Sequence, residues 1–138
     1  MTEIGELAEA EIEAAVALWE ACDLTRPWND PRADIRRALG GATSTILVHR
    51  DDGRLAATVM VGADGHRAWV YYLAVAPDLR KRGLGEAMMR AAEGWAAARG
   101  MPKMQLMVRT ENAGAAGFYH AIGYETEDRL LLAKRLEK

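Results

Sequence analysis

Hydrophobic side chains recur at helical spacing in four stretches of the chain. In the longest, leucine, alanine, methionine and tryptophan mark one face after Gly83 and charged residues mark the other, until Gly100 and Pro102 end the pattern. The same spacing predicts three further helices, over Glu9–Asp23, Asp34–Leu39 and Ala113–Ile122. The proline-rich stretch Arg26–Pro31 is predicted to be a loop, because the residue before a proline disfavours helical geometry.

Five other stretches favour β-strands. Two of them flank an Asp-Gly pair that suits a tight hairpin turn, and Trp69–Val75 is almost continuously apolar, as in a central strand covered on both faces. Alternation along that strand predicts that Tyr71 and Tyr72 point to opposite faces. The other predicted strands are Thr45–Arg50, Leu55–Val61, Met104–Val108 and Leu130–Leu136.

The order of these elements is α-α-β-β-β-α-β-α-β, which predicts an α/β fold with a mixed, mostly antiparallel sheet and helices on both faces. The central strand-helix-strand unit is expected to be parallel and right-handed. With 138 residues, half of them hydrophobic, the chain is expected to form a single domain over residues 1–138.

Composition narrows the function classes. The formal net charge is −2 and basic residues are scattered, so no nucleic-acid partner is expected, and the lack of a long apolar run predicts no membrane partner. Cys22 is the only cysteine, which excludes an intrachain disulfide and multi-cysteine metal sites and suits a cytoplasmic location. No metal is expected, and Cys22 is interpreted as a packing residue.

One basic cluster stands out, at Arg80-Lys81-Arg82-Gly83-Leu84-Gly85, between the buried strand and the longest helix. Glycines allow a ligand close to the backbone, and unpaired N–H groups with the helix dipole favour an anion. The segment therefore predicts a phosphate site, although the same residues also suit a plain strand-to-helix turn. Two nucleotide motifs fail here: a Walker loop needs Lys and Ser or Thr after Gly85, and a dinucleotide fingerprint needs a small residue at Met88.

The stretch Leu73–Gly85, with its Arg-x-x-Gly-x-Gly core, resembles the signature of the GNAT superfamily of N-acetyltransferases. Asn112–Tyr119 and Ile122-Gly123-Tyr124 are similar to the second block of that family, in the expected order. Leu18–Leu24 and Arg26–Pro31, with Asp64–Arg67 later, resemble the bacterial YpeA-like acetyltransferases. The resemblance covers nearly the whole chain and is weakest at residues 1–7, where the first strand of the family is poorly marked.

The resemblance implies that acetyl-CoA is the cosubstrate and that an amine attacks its thioester directly. It places the pyrophosphate on the basic glycine turn and the pantetheine arm along the buried strand, where a backbone N–H can polarise the thioester carbonyl. One such donor is worth about 100-fold to 1,000-fold in rate in other acyl-transfer enzymes. The implied cofactor-binding residues are Leu73, Ala74, Val75, Arg80, Lys81, Arg82, Gly83, Leu84, Gly85, Asn112 and Tyr119.

Tyr119 matches the family position whose hydroxyl protonates the leaving thiolate as a general acid, although its place beside Phe118 and Ile122 also suits a core residue. Asn112 could cap its helix, hold the coenzyme, or do both. An acceptor amine with a pKa near ~10.4 must lose a proton before it attacks, and Asp64, His66 and Asp30 are candidate bases.

Trp28, Asn29 and Asp30 could line the acceptor pocket, with Asp30 pairing a cationic amine, or could form an ordered loop. The leading hypothesis is an N-acetyltransferase for a small-molecule amine or for a protein N-terminus or lysine. A non-catalytic acetyl-CoA-binding sensor of the same fold is the alternative, and a generic nucleotide-binding domain ranks last. A homodimer is also expected from the resemblance.

Overall fold

The computed structural model describes residues 2–137. The chain divides into two compact units, Met1–Met107 and Val108–Lys138. The first unit contains strands β1 (Thr2–Glu6), β2 (Ser44–Asp51), β3 (Arg54–Ala63), β4 (Ala68–Val75) and β5 (Met104–Gln105), and helices α1 (Ile12–Ala21), α2 (Pro31–Gly40) and α3 (Leu84–Ala98). Helix α4 (Ala113–Ala121) lies in the second unit. Short 3₁₀ turns cover Glu9–Glu11 and Pro77–Leu79.

The strands form one sheet in the order β1-β2-β3-β4-β5. Neighbours from β1 to β4 are antiparallel, and β5 runs parallel to β4 after the α3 crossover. The predicted mixed sheet and its parallel unit are therefore confirmed. Asp52 and Gly53 connect β2 and β3 with φ values of 52° and 83°, the two positive φ angles that a type I′ hairpin turn requires.

Helices cover both faces of the sheet, as predicted. One face packs against α1 and α2 around the fully buried side chains of Trp19 and Ile35. Helix α3 covers the opposite face and contributes Met88 and Met89, both with no exposed surface. The first face also includes Val16, Ile46, Val48, Ala56 and Ala74. Alternate residues of β2 and β3 serve the two faces, because successive side chains of a strand point to opposite sides.

One strand of the structure has no predicted counterpart, and two predicted elements begin or end elsewhere. Strand β1 was not predicted, because Thr2–Glu6 has a single large apolar residue and is held by pairing with β2 rather than by burial. Helix α2 begins at Pro31 rather than Asp34, since Asp30 caps its N-terminus and proline is well suited to the first helical turn. Strand β5 is shorter than predicted and ends at Gln105.

The predicted strand Leu130–Leu136 is wrong. The structure gives this segment no regular secondary structure, and Leu130, Leu132 and Leu136 keep 86–89% of their surface exposed. A strand needs a neighbouring edge to which its backbone can hydrogen-bond, and leucine content alone does not supply one. Among the described residues this segment pairs with no strand.

Candidate active site

The turn between β4 and α3 is built from left-handed backbone. Lys81 has a φ of 65° and Gly83 a φ of 81°, and Gly83 is the N-cap of α3. The first α-helical hydrogen bond that follows this cap joins Ala87 N to Gly83 O at 3.0 Å. The N–H groups of Leu84, Gly85 and Glu86 therefore come before the helical ladder and have no intrahelical acceptor. A Cβ placed on Gly83 would meet nothing within 4 Å, so the space above the turn is open.

The charge around this turn is positive. Arg80, Lys81 and Arg82 are exposed. The nearby acid Asp78 is held by both terminal nitrogens of Arg54 at 2.6 and 2.9 Å, and this guanidinium lowers the pKa of Asp78 to about 2. The buried Leu79 anchors the segment before the turn. An open row of backbone donors beside three cationic side chains fits a phosphate-bearing ligand.

Strand β4 contains a bulge next to the turn. Met60 pairs with Tyr71 and Thr58 pairs with Ala74, so Tyr72 and Leu73 together oppose the single residue Val59. Tyr72 has a φ of 53°, a conformation that is a genuine outlier for an aromatic residue. The bulge therefore breaks the regular ladder between β3 and β4 close to the end of β4.

Contacts from three elements surround Tyr72. Its ring stacks on Trp19 of α1, with centroids 3.7 Å apart, and its hydroxyl donates to Asp34 Oδ2 of α2 at 2.8 Å. The Thr58 hydroxyl donates to the Tyr72 carbonyl at 3.0 Å and accepts from Trp19 Nε1 at 2.9 Å. Burial, followed by the Asp34 carboxylate, raises the pKa of Tyr72, so the phenol stays neutral.

The prediction that Tyr71 and Tyr72 face opposite sides is wrong. Tyr71 lies opposite Met60, which packs against the core of α1 and α2, and Tyr72 stacks on Trp19 of that same core. The positive φ of Tyr72 reverses the alternation, so both rings lie on the α1 and α2 face. Tyr71 also keeps 44% of its surface exposed, so β4 is not covered on both faces along its whole length.

On its outer edge, β4 pairs with a neighbouring strand only at its beginning. Strand β5 pairs with β4 only at Ala68 and Trp69. Within the described residues, the β4 edge from Val70 to Val75 therefore has no strand on the side away from β3. The predicted cofactor-binding residues Leu73, Ala74 and Val75 lie on this part of β4, and the predicted turn residues follow after the 3₁₀ turn Pro77–Leu79.

The two candidate bases lie in the loop between β3 and β4. Asp64 Oδ1 accepts from the backbone N–H groups of His66 and Arg67, each at 2.8 Å, and these bonds lower the pKa of Asp64. Both Asp64 and His66 are exposed. This loop precedes β4 and the basic turn follows it, so the structure sets the candidate bases and the turn at opposite ends of one strand.

The predicted acceptor residues occupy the loop before α2. Trp28 keeps 54% of its surface exposed. Asp30 acts as the N-cap of α2 and accepts from the N–H groups of Arg32 and Ala33 at 3.1 and 3.3 Å. The carboxylate of Asp30 therefore already has a structural task.

The second unit holds Asn112 and Tyr119. Asn112 caps α4 by accepting from Ala115 N at 3.1 Å, which confirms the capping interpretation. Tyr119 has edge contacts with Phe118 and Tyr124, and burial raises the pKa of Tyr119 to about 12. Its phenol therefore keeps its proton throughout the neutral range.

Sequence reasoning missed the residues that support Tyr72. Thr58 lies 39 positions from Trp19 and 14 from the Tyr72 carbonyl that it contacts. No spacing rule links such positions, and Asp34 looked like the start of a short helix.

Among the described residues no group of three His, Cys, Asp or Glu is arranged to hold a metal ion, and none of the described helices has the length and hydropathy needed to span a bilayer.

The mixed sheet with helices on both faces and the basic glycine turn before α3 agree with the fold that the resemblance to acetyltransferases implies. The model of the acetyltransferase (GNAT) family matches residues 12–124. An acetyltransferase of Pectobacterium atrosepticum is 46% identical over 134 residues, and one of Yersinia enterocolitica is 44% identical over the same length. Each alignment covers 97% of this chain and 95% of the relative.

The chain therefore belongs to the GNAT acetyltransferase family. Its fold is also that of an aminoglycoside N-acetyltransferase solved in complex with CoA, with a TM-score of 0.84 over 99% of this chain and 95% of the other. The two chains are 16% identical, so this likeness concerns the fold.

Proposed function

We propose that this protein transfers the acetyl group of acetyl-CoA to a primary amine by direct attack. The observation that carries the proposal is the open turn Arg80–Gly85, which presents three helix N–H groups and three cationic side chains. It follows the unpaired edge of β4 after the short 3₁₀ turn Pro77–Leu79. The turn suits the pyrophosphate and the edge suits an extended amide-bearing arm that pairs like a strand. The relatives named above are bacterial acetyltransferases, which agrees with this assignment.

In the proposed reaction, the amine nitrogen forms a bond to the acetyl carbon while a backbone N–H of the β4 bulge stabilises the developing oxyanion. The carbon–sulfur bond then breaks, and the thiolate of CoA takes the proton of Tyr119. The nitrogen of the new amide releases the excess proton that it carries after the attack, and this proton restores the Tyr119 phenol through solvent. Burial raises the pKa of Tyr119, which keeps the proton on the phenol at neutral pH and also makes the phenol a weaker acid than in water. Asn112 is proposed to hold the coenzyme as well as to cap α4.

The amine must lose a proton before it attacks, and we assign this step to His66 rather than Asp64. The carboxylate of Asp64 already accepts two backbone N–H groups that lower its pKa, so it is a poor proton acceptor near neutrality. An imidazole is a common general base in proteins, and the side chain of His66 is exposed. We further propose that Trp28, Asn29 and Asp30 border the acceptor, which is a small-molecule amine or a protein N-terminus or lysine.

The first experiment is a thermal melt with acetyl-CoA, with ATP and NAD as controls. Ligand at 100 times its Kd adds about 2.7 kcal/mol, which raises the Tm of a domain of this size by several degrees. A rise with acetyl-CoA alone supports the proposal, and an equal rise with ATP contradicts it.

Turnover is then measured as thiol release from acetyl-CoA with a panel of amines that includes an aminoglycoside, a peptide with a free N-terminus and a lysine peptide. Tyr119→Phe is expected to lower kcat by about 100-fold without weakening acetyl-CoA binding. His66→Gln is expected to lower kcat/KM, and Asp64→Asn is expected to keep it. Binding without thiol release for any amine would favour the non-catalytic sensor.

A further inference from the structure

Tyr72 holds a backbone conformation that its residue type disfavours. A φ of 53° brings the Cβ of an ordinary residue close to its own backbone, and a bulky ring gains nothing locally to offset that strain. Such a conformation persists only where the surrounding structure determines it, and it tends to occur at functional sites. The contacts around Tyr72 therefore hold its backbone in this conformation.

The contact that bears most directly on the backbone comes from Thr58. Its hydroxyl donates to the Tyr72 carbonyl oxygen at 3.0 Å and is itself oriented by Trp19 Nε1 at 2.9 Å. Thr58 and Trp19 have no exposed surface, so water does not compete for these bonds. The bond from the Tyr72 hydroxyl to Asp34 and the stacked ring of Trp19 fix the side chain of the same residue.

Fixing the Tyr72 carbonyl also fixes the N–H of the next residue. The chain has no cis peptide bond among its described residues, and in a planar trans peptide the C=O and the following N–H point in opposite directions. Because the Tyr72 oxygen points at the Thr58 hydroxyl, the Leu73 N–H points away from Thr58. The bulge leaves Tyr72 and Leu73 opposite a single residue, so this N–H lies outside the regular β3–β4 ladder.

We propose that Thr58, with Asp34 acting through the Tyr72 side chain, is a positioning residue that aims the Leu73 N–H at the thioester carbonyl of acetyl-CoA. The inference rests on the proposed function and extends it by naming the residues that set the geometry of the backbone donor. Neither Thr58 nor Asp34 touches the reacting atoms. A donor of this kind is sensitive to small displacements, since about 1 Å of misplacement can cost on the order of 100-fold in rate.

The test compares Thr58→Val with Thr45→Val. Thr45 is also a buried threonine of the same sheet, and its hydroxyl bonds to Glu6 Oε1 at 3.0 Å, away from β4. Calorimetry measures the Kd of acetyl-CoA and of CoA for each protein, and the ratio of the two reports contact with the acetyl carbonyl. The wild type is expected to prefer acetyl-CoA, Thr58→Val to lose that preference and about tenfold or more in kcat, and Thr45→Val to keep both.

Two further variants separate positioning from general loss of structure. Thr58→Ser restores the hydroxyl and is expected to recover kcat to within about threefold of the wild type. Asp34→Ala removes a partly exposed partner of Tyr72, so it tests the same bulge if Thr58→Val does not fold, and it should lower kcat with little change in the KM of acetyl-CoA.

The outcomes distinguish a failure of the positioning proposal from a failure of the proposed function. If the wild type binds acetyl-CoA and turns over but Thr58→Val behaves like Thr45→Val, or if the wild type binds acetyl-CoA and CoA equally, the positioning proposal is overturned while the proposed function stands. If the wild type does not bind acetyl-CoA, the proposed function fails and the positioning proposal fails with it.

Discussion

Tyr72 in β4 and Gly83 in the turn before α3 both have a left-handed backbone, but for different reasons. Gly83 has a φ of 81° with open space around it, and glycine adopts this conformation at no steric cost. Tyr72 has a φ of 53°, a conformation that costs about 1–3 kcal/mol. Contacts from α1, α2 and β3 offset this cost. The conformation of the turn therefore depends on its own residues, and the conformation of the bulge depends on contacts from the whole tertiary structure.

The largest expected effect on the bulge comes from a substitution of Trp19. This side chain has no exposed surface and contacts both the Tyr72 ring and the Thr58 hydroxyl. Trp19→Ala is expected to lower the free energy of unfolding by about 3–5 kcal/mol, because it leaves a large cavity and removes the bond that Trp19 Nε1 donates to the Thr58 hydroxyl. Urea denaturation measures this loss. Trp28→Ala is the matched control, since Trp28 is 54% exposed, and an equal loss in both variants would contradict the central role of Trp19.

Gly83→Ala tests whether the turn depends on the left-handed backbone of its glycine. The new Cβ meets nothing within 4 Å, so the expected loss of about 1–2 kcal/mol comes from backbone conformation alone. The shift in Tm caused by acetyl-CoA should also shrink, because the N–H groups of the turn move.

Gly94→Ala controls for the general effect of a methyl group on α3. Gly94 lies inside the helix, also with open space, and alanine there should add about 0.5–1 kcal/mol of stability. Opposite signs for the two variants are the expected result. If Gly83→Ala were stabilising as well, the turn would not depend on glycine.

The smallest expected effect comes from Tyr72→Phe, which removes the bond to Asp34 and keeps the ring. At neutral pH the loss should be about 1 kcal/mol. The pKa of Tyr72 is raised in the folded protein, so the stability that its neutral form contributes is complete below pH 10, the ordinary value, and is lost as pH rises through the raised pKa.

Urea denaturation of both proteins at pH 8 and pH 10.5 measures this difference. The gap between wild type and Tyr72→Phe should narrow at the higher pH, because only the wild type carries the Tyr72 phenol. A gap that stays constant or widens would show that burial and the Asp34 bond do not keep the Tyr72 phenol neutral in the folded protein.

Much of the fold and part of the candidate site could be predicted before the structure was known. The hairpin at Asp52-Gly53, the helix α3 and the turn Arg80–Gly85 were recognised because their signals lie within a few consecutive residues. Strand β1 and the segment Leu130–Leu136 were misjudged, since the first depends on pairing with β2 and the second lacks a pairing edge among the described residues.

The sequence by itself determined the helical and strand periodicities, the type I′ turn, the left-handed glycine before α3 and membership of an acetyltransferase family, because each depends on local chemistry or on a contiguous motif. Only the tertiary structure decided which face Tyr71 and Tyr72 share, and which partners hold the bulge. Trp19, Asp34 and Thr58 come from three separate elements, and their contacts with Tyr72 exist only once the sheet and helices are packed. Strain that many distant contacts offset leaves no mark in a local pattern.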